Sequence, residues 1–142
     1  MFLNLTDIMG KVIEKVRMWN IWEEEEIKTG KVSPIEVEVL IDTGATQVLL
    51  PADLVKRLKL RPSGKTRVKY ADGKIKERDV ALGLRIEILG RDTVTRVIVE
   101  KEGVTHLLGQ IVLEDTDLLV DCRSGKVIPN PASPDMPLLE EL

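Results

Sequence analysis

The stretch Val39–Pro51, VLIDTGATQVLLP, sets a single carboxylate between two apolar runs. Val39, Leu40 and Ile41 precede Asp42, and Val48, Leu49 and Leu50 follow after Thr43–Gln47. An uncompensated charge is costly to bury. Asp42 therefore stands either at an ordinary exposed turn or in a half-buried place kept for chemistry.

Working outward, VSPIEVEVLID (Val32–Asp42) alternates through Ile35, Val37 and Val39, the pattern of a half-buried strand that becomes fully buried near Leu40 and Ile41. TQVLL is a second short strand. PADLVKRLKL (Pro51–Leu60) opens on Pro and spaces Leu54, Val55 and Leu58 as a short amphipathic helix. RPSG reads as a turn. KTRVKYADGKIKERDV has two arms around Asp72-Gly73, a strong hairpin signal. Further on, Leu84, Ile86 and Ile88 alternate, Gly90-Arg91-Asp92 turns the chain, and Val94, Val97 and Val99 line a return strand. THLLGQIVLEDTDLLVD places an apolar pair before Gly109, then a helical turn, then a strand-like DLLVD; CRSGKVI turns at Ser124-Gly125.

Toward the N-terminus, KVIEKVRMW (Lys11–Trp19) partly alternates. The acidic run Glu23–Glu26 with the KTGK that follows reads as a solvated, charged hairpin tip. PNPASPDMPLLEEL at the other end holds four of the chain's seven prolines and reads as an extended tail, mobile or loosely docked. The sum is a mostly-β domain, a small closed or sandwiched barrel with one or two short helices. The expected division is one domain over 1–130 and a Pro-rich tail over 131–142.

Composition narrows the function classes. The 142 residues suit one core, and 43% hydrophobic with 32% charged is a globular balance. A net charge of −3 and 3% aromatics argue against nucleic acid and anionic membrane as partners. Cys122 and His106 are each the sole residue of their type, so no intrachain disulfide and no Cys-based zinc site can form. No metal-ligand spacing is recognisable, and no metal or cofactor is expected. The solitary His106 reads as structural. MFLNLTDIMGKV carries acid early and does not read as a signal peptide, and no run reaches membrane-spanning length. The default expectation is the cytoplasm.

Three pieces together resemble the retropepsin-like aspartic proteases, in particular the small single-domain bacterial and archaeal members. They are Asp42-Thr43-Gly44-Ala45 between apolar strands, the polar hairpin KYADGKI in the place of a flap, and VIVEKEGVTHLLGQIVL with Leu107-Leu108-Gly109 before a short helix. Their order and approximate spacing match, and the likeness covers roughly Met9 to Ile128. The resemblance implies a closed acid-protease barrel active as a two-fold homodimer on peptide or protein substrates.

The chemistry fits these residue types. Hydrolysis without metal or covalent intermediate needs a base for water and an acid for the substrate. Two carboxylates sharing one proton supply both, because like charges that close cannot both ionise. One chain holds one Asp-Thr-Gly, so the second must come from another copy. The resemblance implies that Asp42 is catalytic, that the Thr43 hydroxyl bonds across the dimer, and that Gly44 folds tightly under the carboxylate with its N–H toward it. Ala45 lacks the hydroxyl that many pepsin-like relatives place there, so a dyad titrating higher and mildly acidic activity are expected.

Candidate substrate-binding residues are Ala45, Val48, the flap residues Tyr70, Ala71, Asp72 and Gly73, and Leu107 and Leu108. They imply an extended peptide bound as an added strand, with apolar side chains preferred near the cut. Two positions depart from the retroviral pattern: an acid–Arg pair is replaced by Thr46 and Gln110, for which a neutral hydrogen bond is the expected substitute. The flap tip is also more polar. The alternatives are a non-catalytic peptide-binding or dimerisation module on the same fold, and a monomeric β domain with an exposed Asp42.

Overall fold

The computed structural model describes residues 12–141. The reading of the N-terminal stretch, Lys11 at the start of the first strand, and Leu142 lie outside them. The described chain runs β1 (Val12–Asn20), a 3-10 turn (Ile21–Glu23), α1 (Glu24–Thr29), β2 (Ile35–Ile41), β3 (Val48–Pro51), α2 (Ala52–Arg57), β4 (Arg61–Lys69) and β5 (Ile75–Ile88). It continues with β6 (Arg91–Glu100), β7 (Leu107–Leu108), α3 (Gln110–Thr116), β8 (Leu118–Asp121) and β9 (Lys126–Pro129).

The main sheet has the order β1-β2-β7-β3-β6-β5-β4, and β1 also pairs with β5. That extra pairing closes six strands into a barrel and leaves no free edge within the ring. Only β4 stays outside, bonded to β5. The fourteen-residue β5 serves two partners in turn: its first part pairs with β4 and its second with β1. A bulge at Gly83 (φ +98) divides them. A Cβ there would lie 2.2 Å from the Trp22 ring, so the indole packs where only glycine leaves room.

Alternation explains the core. Val12, Val16 and Met18 of β1, Val39 and Ile41 of β2, and Leu84, Ile86 and Ile88 of β5 fill the barrel. Leu54 of α2, Leu58 at its C-cap, and Val112 and Leu113 of α3 cap it. β2 becomes fully buried from Val39 because β1 flanks it on one side and β7 on the other. No helix among the described residues is long and apolar enough to cross a membrane.

Three local expectations differ from the structure, and a fourth, left between two alternatives, is decided by it. The acidic run is not a hairpin tip but α1, closed by Gly30 in the left-handed region (φ +80). Acids in its first turn and Lys28 in its last complement the helix dipole. Glu24 fixes it to the barrel, accepting from Trp19 Nε1 (2.8 Å) and from Arg85 Nε and Nη2 (2.7 and 3.1 Å). The Arg85 bonds hold the Glu24 carboxyl below its usual range. RPSG is not a turn: it lies in β4, where Gly64 (φ +76) accommodates a bulge.

The β5–β6 turn centres on Leu89-Gly90, one position earlier than the Gly90-Arg91-Asp92 reading. Both residues have positive φ (53° and 77°), the I′ geometry that suits strand twist, although leucine is rare there. The tail is docked. Asp117, itself left-handed at the end of α3, accepts at its carboxylate from Asn130 Nδ2 (2.9 Å), Leu138 N (3.0 Å) and Ser133 Oγ. Arg91 Nη2 donates to Ser133 O (2.6 Å).

Candidate active site

Asp42 follows directly on β2. Its N–H donates to Leu108 O (2.9 Å), which continues the β2–β7 ladder by one step, as Leu40 N does to His106 O (2.8 Å). The chain then folds back: Ala45 N donates to Asp42 O (3.1 Å), and Gly44 N donates to Asp42 Oδ1 (3.0 Å). The carboxyl group thus receives a hydrogen bond from its own loop.

The loop rests on Gly109 and the start of α3. Gln110 N donates to Ala45 O (2.8 Å) and Ile111 N to Thr46 O (3.1 Å). A Cβ on Gly109 would lie 2.4 Å from Thr46 C and 2.6 Å from Thr46 O and Gln47 O. Glycine is required there by close approach of two backbones, not by an unusual φ. Neutral main-chain hydrogen bonds therefore join the Thr46 and Gln110 segments.

Asp42, half-buried, lies on the floor of a cleft of about 780 Å³. Gly44, Ala45, Thr46 and Gln47 continue the floor, and Leu49, Ile98, Val104 and Leu107 supply apolar wall. Thr66–Ala71 of the β4–β5 hairpin form the far side. At the hairpin tip, Gly73 N donates to Tyr70 O and Tyr70 N to Lys74 O (both 2.9 Å), with Gly73 at φ +85. This is a three-residue loop with a glycine bulge.

Of the expected site residues, Asp42, Gly44, Ala45, Tyr70, Ala71 and Leu107 meet in this cleft. Thr43 is exposed beside it. Val48 and Leu108, both 0% exposed, belong to the barrel core and line nothing: period-two alternation turns Leu49 and Leu107 to the cleft instead. Asp72 borders an adjoining hollow with Lys74, Lys76, Arg78 and Lys101, and Gly73 lines neither space. His106 bonds Glu38 O through Nδ1 (3.2 Å), a main-chain contact at the barrel wall. Among the described residues no group of three or more His, Cys, Asp or Glu is arranged to hold a metal ion.

Glu100 and its partners were not legible beforehand. Glu100 is buried on β6 and accepts from Arg78 Nε (3.2 Å) and Tyr70 OH, and Arg78 Nε also meets Tyr70 OH (2.9 Å). The network ties the base of the hairpin tip to the barrel. Burial, then the Glu100 carboxylate, pushes the Tyr70 hydroxyl above its ordinary pKa, so it stays a donor. One signal was available: Arg96, Ile98 and Glu100 share a face of β6 by alternation, so placing one in the cleft places all three.

The fold is similar to that of EIAV protease, solved in complex with the inhibitor HBY-793, with a TM-score of 0.54 and 24% identity over 81% of this chain and 93% of that one. No curated protein matches the chain. Residues 29–115 match the family described as "gag-polyprotein putative aspartyl protease". The matched segment runs from the end of α1 into α3 and includes the Asp42 loop, the β4–β5 hairpin and the Leu107-Leu108-Gly109 strand. The chain belongs to this family, among the retropepsin-like aspartic proteases.

Proposed function

We propose that the protein is a homodimeric aspartic endopeptidase whose dyad is Asp42 and the same residue of a second copy. The observation that carries this reading is the placement of Asp42 on the floor of a peptide-sized cleft, on a loop held by Leu108, Gly109 and Gln110. A single chain offers one such loop, and the water-activating pair needs two.

In the reaction, one carboxylate of the dyad is ionised and the other carries the shared proton. The ionised one takes a proton from water as its oxygen attacks the scissile carbonyl carbon. The protonated one gives its proton to the carbonyl oxygen, forming a neutral gem-diol. On collapse the carboxyl that took water's proton gives it to the leaving amine, the C–N bond breaks, and a gem-diol hydroxyl returns its proton to the other carboxylate, so the dyad regains its single shared proton. Gly44 N–H fixes the orientation of the Asp42 carboxyl, Thr43 bridges the two loops across the axis, and the β4–β5 hairpin covers the peptide as a flap.

Cleavage of a peptide library by wild type and Asp42→Asn, with solution mass measured for both, tests the reading. Activity in a dimer that disappears in Asp42→Asn is the expected result. Equal activity in the two would refute it.

A further inference from the structure

We propose that the cleft selects peptides carrying acidic side chains near an apolar scissile bond; this substrate class rests on the peptidase reading above. The observation is a mismatch of charge. The protein is net negative (−3), yet the cleft is bordered by three cations, Arg67, Lys69 and Arg96. Only two carboxylates, Asp42 and Glu100, line the same space. Glu100 is already matched by Arg78 and by the Tyr70 hydroxyl. Asp42 is reserved for the shared proton of the dyad.

The three cations have no acidic partner among the described residues. Arg96 donates through Nε to Gln47 Oε1 (3.2 Å), a neutral acceptor that aims the guanidinium along the floor beside the Asp42 loop. Arg67 stands opposite Glu77 across the β4–β5 ladder, but Glu77 lies 3.8 Å from Lys65 Nζ, which also bonds Asp79 (2.9 Å). In the adjoining hollow Lys74, Lys76 and Lys101 outnumber Asp72, and Glu100 there is paired with Arg78. A concave site with an excess of one sign of charge favours ligands of the other sign over basic peptides. Leu49, Ile98 and Leu107 line the same cleft as the cations, so apolar and acidic substrate side chains both find matching groups there.

The test uses two synthetic peptides that differ only in flanking Glu against Gln. Binding of both to the Asp42→Asn protein is measured without turnover, and kcat/KM of both is measured with wild type. The expected result is about tenfold preference for the Glu peptide at low salt, from two or three ion pairs. Screening should reduce it several-fold as the Debye length falls toward ~3 Å near 1 M salt. Arg67→Gln, Lys69→Gln and Arg96→Gln combined should bring the ratio near one. A charge change outside the cleft, Lys31→Gln, should leave the ratio as in wild type. Equal binding of both peptides overturns the inference, and cleavage of the Gln peptide then still upholds the peptidase. Preferential binding of the Glu peptide without cleavage of either would sink the peptidase reading and keep the ligand class.

Discussion

Gly109→Ala is the sharpest test of how the Asp42 loop is held. The new methyl would sit 2.4 Å from Thr46 C, where ordinary contact begins at 3.4 Å. The obstructing atoms are main chain, so no side-chain rotation relieves them. The backbone φ of −90° suits alanine, so the effect is steric alone. The loop must retreat by about 1 Å, and overpacking of this kind costs ~1–3 kcal/mol. Weakening the Gln110–Ala45 and Ile111–Thr46 bonds adds ~1 kcal/mol. A total of about 2–4 kcal/mol lowers Tm by roughly 5–15 °C for a chain of this size. A shift of ~1 Å in Asp42 is expected to reduce kcat/KM about 100-fold. Thermal melts and peptide cleavage, corrected for folded fraction, read both effects. Gly44→Ala is the graded companion: its Cβ meets only Asp42 Oδ1, at 3.2 Å, so stability changes by less than ~1 kcal/mol while activity falls. A Gly109→Ala protein with unchanged Tm and kcat/KM would show that this packing does not position the loop.

Other perturbations separate the remaining parts. The Asp117 carboxyl is lowered from 3.8 to about 2 by Ser133, Leu138 and Asn130. A depressed folded pKa gives stability that is present above pH ~4 and lost as pH falls through about 2, so urea midpoints should drop across that window in wild type and stay flatter in Asp117→Asn. Limited proteolysis should also reach the tail of that variant first. Glu100→Gln leaves Arg78 (side chain 18% exposed) without its charge partner and should cost about 2–3 kcal/mol in denaturant titrations. Tyr70→Phe keeps the ion pair and should cost only ~1 kcal/mol; a larger loss there would mean the hydroxyl, not the pair, secures the hairpin. Gly83→Ala must displace the Trp22 ring and adopt φ +98, so its tryptophan emission should shift red with a loss of ~1–3 kcal/mol. An unchanged spectrum would refute that packing.

Much of the fold was legible because it is locally written. Ile35, Val37 and Val39 alternate, Asp72-Gly73 and Ser124-Gly125 turn, and Leu54, Val55 and Leu58 repeat at helical spacing. The Asp42 loop was legible for the same reason: a carboxylate and a glycine between apolar strands are adjacent in sequence. What escaped has long-range causes. The acidic run is a helix because Trp19 and Arg85 receive Glu24, although Gly30 was a local stop signal in plain view.

The sequence by itself determined that strands pair, that Asp42 ends one of them, and that no Cys-based zinc site or intrachain disulfide was available. Tertiary structure alone decided which of two adjacent leucines faces the cleft, since β7 is two residues long and its alternation is set by neighbours on both sides. It also decided that Glu100 is buried against Tyr70 and Arg78, and that the tail is held by Asp117. Periodicity reports which residues share a face. The identity of the residues across from that face depends on how a distant strand closes the barrel, and no local pattern carries that information.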